Sequence, residues 1–121
     1  MTPSNLILLV DHNARNLELL EDFLHKQGYQ VQSMAGLDGF EGALDDHDVG
    51  LALIDISGFD RSIWEYCQML TERDIPFIVI SPKQVSHIRE EGRQHGAKDV
   101  LIKPLAAQEL ASLIKSLIGH D

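Results

Sequence analysis

Five short apolar runs punctuate this chain, and a segment of helical period follows each of them. The runs are Leu6–Val10, Tyr29–Met34, Val49–Ile54, Phe77–Ile80 and Val100–Ile102. Each has the length of a strand rather than of a buried helix. In the final segment Leu110, Leu113, Ile114, Leu117 and Ile118 recur at i, i+3, i+4, i+7 and i+8, which gathers them on one helix face. Leu17, Leu20 and Leu24 mark a first helix, with Gly28 placed to end it. Leu37, Phe40 and Leu44 mark a short second helix, in which Gly39 and Gly42 are unfavourable. Ile63, Tyr66, Cys67 and Leu70 mark a third, and Val85, Ile88 and Gly92 a fourth.

Strict alternation of strand and helix implies parallel strands, right-handed crossovers and helices on both faces. Leu6–Val10, Val49–Ile54 and Phe77–Ile80 carry no polar side chain, as strands covered on both sides do. Tyr29-Gln-Val-Gln-Ser-Met34 mixes polar with apolar residues, as an edge strand does. The predicted fold is α/β: a flavodoxin-like (βα)5 doubly wound, five-stranded parallel sheet of order 2-1-3-4-5, with residues 1–121 as a single domain. Ligands of such sheets bind beyond the strand C-termini, at the switch point between the first and third strands.

Composition narrows the partners. The net charge is −9 and the basic residues are scattered, which disfavours direct contact with nucleic acid. An acidic surface favours a protein partner or a cation. The first apolar run stops at Asp11, short of a signal-peptide core or a membrane span. A cytoplasmic location with no membrane partner is expected. The single cysteine, Cys67, cannot form an internal disulfide and is expected to be a core thiol. His25, His47, His87, His95 and His120 show no metal-ligand spacing, and they and the Glu90-Glu91 pair are expected at the surface; Trp64 lies off the apolar stripe of its helix and is expected to be partly buried.

Every strand but the second ends in a polar residue able to reach one rim: Asp11, Asp55, Ser81 and Lys103. Singly each has a plain explanation, as a cap, a loop acid, a turn hydroxyl or a surface cation, although Asn13 is better placed than Asp11 to cap the first helix. Jointly they suit phosphoryl transfer. A carboxylate can attack phosphorus and form an acyl phosphate, and the transferred group needs a divalent cation and fixed donors around it. Mg²⁺ takes one or two carboxylates and completes its octahedron with water and substrate oxygens. Asp11 and Asp55 fit that cation, Ser81 offers a hydroxyl and Lys103 an ammonium.

Leu8-Leu-Val-Asp11, Leu53-Ile-Asp-Ile56, Ile78-Val-Ile-Ser81, Gly96-Ala-Lys-Asp99 and Lys103-Pro104 follow one another in an ordered set. In these motifs the chain resembles the receiver domains of two-component response regulators, over essentially its whole length. The resemblance implies that Asp55 is the phosphoacceptor, supplied by a phosphohistidine of a histidine kinase or histidine phosphotransfer protein. It implies that Asp11, Asp55 and the backbone carbonyl of Ser57 hold Mg²⁺, that Ser81 and Lys103 bind the phosphoryl group, and that the Lys103–Pro104 peptide is cis. Output would then pass by protein–protein contact to a downstream protein, with no enzyme activity beyond self-phosphorylation and self-dephosphorylation of Asp55.

Four positions depart from the pattern. His12 stands where receivers usually carry a second acid. An imidazole is a poor ligand for a hard ion, so weakened and pH-sensitive Mg²⁺ binding is expected; the alternative is that His12 touches only a metal-bound water or solvent. Gly58-Phe59 replaces a usual Met-Pro pair, which bears on the Ser57 carbonyl. Pro82 replaces a small alanine and narrows access for a phosphodonor. Val100 stands at the switch position, where a rotating aromatic is usual; its χ1 is stiff, so output by that ring-flip route is not expected. Two alternatives stand beside this reading. One is a phosphorylation-independent pseudo-receiver that works purely as an interaction module. The other is a flavin carrier, which the carboxylate in Asp11-His-Asn-Ala-Arg-Asn16 opposes, since it would repel a flavin phosphate.

Overall fold

The computed structural model describes residues 5–82 and 86–118. Strands and helices alternate from end to end: β1 (Leu6–Val10), α1 (Ala14–Lys26), β2 (Gln30–Met34), α2 (Phe40–Asp46), β3 (Leu51–Asp55), α3 (Ile63–Glu72), β4 (Phe77–Ser81), α4 (Ser86–Gln94), β5 (Asp99–Ile102) and α5 (Ala107–Ile118). All pairings are parallel and the order is β2-β1-β3-β4-β5. The flavodoxin-like doubly wound sheet read from the sequence is therefore the fold.

Successive side chains of a strand point to opposite faces, and each face of this sheet has its own core. On one side Leu8, Val10, Ala52, Ile54 and Val79 pack with Phe40, Leu44, Ile63, Cys67 and Leu70 of α2 and α3. On the other, Ile7, Leu9, Leu51, Leu53, Ile78 and Ile80 pack with Leu17 and Leu24 of α1 and Leu110, Ile114 and Ile118 of α5. Every residue of β3 and β4 is buried, whereas β2 is only half-buried. That difference matches the polar residues of β2 and its place at the edge.

Asn13 caps α1, its Oδ1 accepting from the backbone N–H of Arg15 at 2.9 Å and of Asn16 at 3.1 Å. α2 starts later than the apolar spacing suggests. Leu37 lies ahead of the helix while packing on the core, because Gly39 takes φ 82° at the N-cap and turns the chain there. Val85 and His120 lie outside the described residues.

Two surface expectations, for His95 and Glu91, are overturned, and Trp64 is covered more fully than expected. Trp64 is buried, stacked on His95 with ring centroids 5.2 Å apart and planes 10° from parallel. The end of α4 covers a second face of α3, so this helix buries more than its sheet-facing stripe. His95 is accordingly half-buried, while His25, His47 and His87 are exposed. Glu91 is also largely covered, its carboxylate paired with Arg61, whereas Glu90 stays exposed.

Candidate functional site

The strand registers assemble the rim. Val10 pairs with Ile54, so Asp11 and Asp55, each one residue further on, leave neighbouring strands side by side. Asp55 pairs with Ile80 and Ser81 with Ile102, which places Ser81 one step beyond Asp55 and Lys103 one step beyond Ser81. The Ser81 carbonyl accepts from the Lys103 N–H at 2.9 Å, and the Met34 carbonyl accepts from the Asp11 N–H at 3.1 Å. Backbone pairing alone thus carries four separated residues to one edge.

These are unusual residues to enclose. Asp11, Asp55 and Ser81 are 1%, 0% and 2% exposed, and they are the buried polar residues among those described. Uncompensated burial of a carboxylate costs several kcal/mol in practice. Partial compensation is visible. Asp55 Oδ1 accepts from the Ser57 N–H at 2.9 Å, and Asp55 Oδ2 lies 2.6 Å from the Lys103 ammonium. Asp11 Oδ1 accepts from the Asn13 N–H at 2.9 Å. Asp11 Oδ2 and the Ser57 hydroxyl are buried and make no hydrogen bond among the described residues. Burial pushes the Asp11 carboxyl above its ordinary value; the Asn13 N–H opposes that rise, the neighbouring Asp55 adds to it, and Lys103 offsets a little.

This donor set suits a hard dication. Two buried carboxylates share one positive partner, and one of their oxygens has no donor. Mg²⁺ accepts one or two carboxylates with several waters, so Asp11 and Asp55 fit it. An open cavity of about 610 Å³ reaches the same place, lined by Asp11, Asn16, Leu19, Leu20, Asp55, Lys103, Pro104 and Leu105.

The positions that depart from the receiver pattern sit around this core. His12 is exposed, its ring edge-on to Phe59 with centroids 5.6 Å apart, and packed against Gly58. Among the described residues no three His, Cys, Asp or Glu side chains are grouped to hold a metal ion, so His12 makes no third member with Asp11 and Asp55. Pro82 is exposed. Val100 is buried between β5 and α4. The Lys103–Pro104 peptide is cis.

Sequence reasoning missed the apolar wall of the cavity. Leu19 is 58% exposed, the one large hydrophobic residue so exposed among those described. Its signal was present: it lies between Leu17 and Leu20, off the stripe that defines α1.

Comparison with known proteins gives the family and agrees with the fold. The family model described as "Response regulator receiver domain" matches residues 7–115. The transcriptional regulatory protein GltR of Pseudomonas aeruginosa is 32% identical over 116 residues, covering 93% of this chain and 48% of that protein. The transcriptional regulatory protein HprR of Escherichia coli K12 is 31% identical over 112 residues, covering 91% of this chain and 50% of that protein. The chain thus spans about half the length of the curated relatives it matches. Among solved structures, a CheY-like receiver domain protein from Methanospirillum hungatei superposes with a TM-score of 0.85 at 22% identity, covering 96% of this chain and 94% of that one. The DrrB receiver domain, solved as BeF3-activated, gives 0.83 at 21% identity, covering 99% and 100%. At those identities the structural likeness speaks for the fold alone.

Proposed function

This chain belongs to the response regulator receiver domain family, and from that premise we propose that Asp55 accepts a phosphoryl group from a phosphohistidine in a Mg²⁺-dependent relay. The observation that carries the proposal is the state of the Asp55 carboxylate. It is fully buried, tied at one oxygen to the Ser57 amide, and faced at the other by Lys103 Nζ at 2.6 Å, beside an Asp11 oxygen with no donor.

In the proposed reaction the Asp55 oxygen not held by Ser57 attacks phosphorus as the P–N bond of the donor phosphohistidine breaks. The electron pair of that bond returns to the imidazole nitrogen, and an acyl phosphate forms on Asp55. Lys103 moves from the carboxylate to an oxygen of the transferred group, and the Ser81 hydroxyl donates to another. Asp11, Asp55 and the Ser57 carbonyl would hold Mg²⁺, which when bound neutralises the equatorial phosphoryl oxygens. With His12 in place of a further acid, that ion is held more weakly than where three carboxylates converge.

The partners follow from the same reading: a histidine kinase or phosphotransfer protein upstream, and a downstream protein that recognises the phosphorylated surface. No helix of the described residues is long and apolar enough to cross a membrane, and we place the reaction in the cytoplasm. The −9 charge leaves nucleic-acid contact, where a longer polypeptide has it, to other segments.

The second reading is a phosphorylation-independent interaction module, which the positions of His12 and Val100 favour. One experiment separates the two. The protein is treated with acetyl phosphate and Mg²⁺ and its intact mass is measured beside that of Asp55→Asn. A single phosphoryl adduct on wild type, absent from the variant, is expected. No adduct on either would leave the interaction module, and equal adducts on both would remove Asp55 as the phosphoacceptor.

A further inference from the structure

Two of the four departures from the receiver pattern touch each other. His12 follows Asp11 in the β1–α1 loop, and Gly58-Phe59 lies in the turn after Asp55. The imidazole meets Phe59 edge-on at 5.6 Å between centroids, the arrangement aromatic pairs prefer. It also covers Gly58 so closely that a Cβ there would fall 3.0 Å from His12 Cδ2.

What the imidazole covers matters for the cation. Residues 56–59 form a turn closed by the Phe59 N–H donating to the Ile56 carbonyl at 3.2 Å. Gly58 occupies its third position at φ 83°, a conformation that favours glycine. The central peptide of this turn joins Ser57 to Gly58 and carries the Ser57 carbonyl. Turn types differ chiefly in how that central peptide is rotated, so its orientation needs an outside restraint. The Ser57 N–H, bonded to Asp55 Oδ1, fixes one side, and His12 packed on Gly58 with Phe59 behind it fixes the other.

We propose that His12 is a positioning residue: seated on Gly58 and edge-on to Phe59, it holds the Ser57–Gly58 peptide so that the Ser57 carbonyl is presented to the dication. The inference rests on the Mg²⁺ reading of the site and adds to it a role for the two residues that depart from the pattern together. The ring works by contact and not by ligation, which agrees with its turn toward Phe59.

The test is Mg²⁺ titration of the full chain, followed by amide NMR shifts, for wild type, His12→Ala, Phe59→Ala, the double variant and His12→Phe. Loss of groups that orient ligands typically weakens metal binding about tenfold or more. His12→Ala and Phe59→Ala are each expected to weaken Mg²⁺ by about that factor, with the double variant little worse than either. His12→Phe is expected to stay within about twofold of wild type, because the edge-to-face contact survives. A His12→Phe loss as large as that of His12→Ala would show that the imidazole ligates the ion, and fully additive losses would show that the rings are not coupled; either result overturns the proposal. Hydrogen exchange in the metal-free protein gives a second readout. The Ser57 and Gly58 amides are expected to exchange faster in His12→Ala and Phe59→Ala but not in His12→Phe. Unchanged exchange in the alanine variants overturns the clamp. If wild type takes up no Mg²⁺ while the exchange pattern holds, the cation reading fails and the clamp on the turn stands.

Discussion

Gly92 of α4 lies directly on Val100 of β5: a Cβ added at Gly92 would fall 2.7 Å from Val100 Cγ2. The switch position is thus filled by a stiff side chain with a helix backbone pressed against it. A missing ring at position 100 and a missing side chain at position 92 belong to one packing solution, in which α4 sits close to the sheet.

Gly92→Ala tests that contact. Alanine is better than glycine inside a helix by about 1 kcal/mol, so a loosely packed site would gain stability. Overpacking of a tight site costs about 1–3 kcal/mol. The expected outcome is a lower urea midpoint for Gly92→Ala. Adding Val100→Ala is expected to recover about 1 kcal/mol in a double-mutant cycle. A gain in stability from Gly92→Ala alone would show that α4 is not seated so closely.

Asp11 gives a prediction with a defined sign. Burial, reinforced by Asp55, raises its native value above the ordinary 3.8. The native protein therefore holds this proton more tightly than the unfolded chain does. Its contribution to stability falls as pH climbs from about 3.8 to the raised native value, and the full cost persists above that. Asp11→Asn keeps the Oδ1 acceptor for the Asn13 N–H and removes the charge. Without Mg²⁺ it is expected to raise the denaturation midpoint at pH 7, with an advantage that fades as pH falls from the raised native value to about 3.8 and shrinks when Mg²⁺ stabilises only the wild type. A midpoint at pH 7 equal to or below that of wild type would contradict this account.

Cys67 is fully enclosed in α3, and burial pushes its thiol up to about 12. Thiolate is the reactive species, so the native protein is expected to resist Ellman's reagent at pH 8. Labelling should appear on adding denaturant, at the rate of opening. Rapid stoichiometric reaction in buffer would show that α3 lifts from the sheet far more readily than its packing implies.

How much was legible in the chain depended on the range of each interaction. Asp11 and Asp55 met because each follows an apolar strand and because sheet order follows from the polar residues of β2. Periodicity also found the inward faces of α1, α3 and α5. It failed where a residue answers to an element distant in sequence. Trp64 lies off the sheet-facing stripe, yet His95 covers it. Glu91 looks like an exposed helix acid, yet Arg61, 30 positions away, takes its carboxylate. His12 and Phe59 each read as an isolated departure, and only the fold shows that they touch. Leu37 looked helical because its spacing was right, whereas the left-handed backbone at Gly39 starts α2 later.

The stack of Trp64 on His95 also equips the chain with a native optical gauge. Trp64 is the sole indole in the sequence, so the tryptophan emission, excited apart from the tyrosines, has one source, at the seam between α3 and the end of α4. Sliding or lifting of α4 would unstack the rings and alter that emission, which lets a reorganisation of this surface be followed in real time without any attached dye.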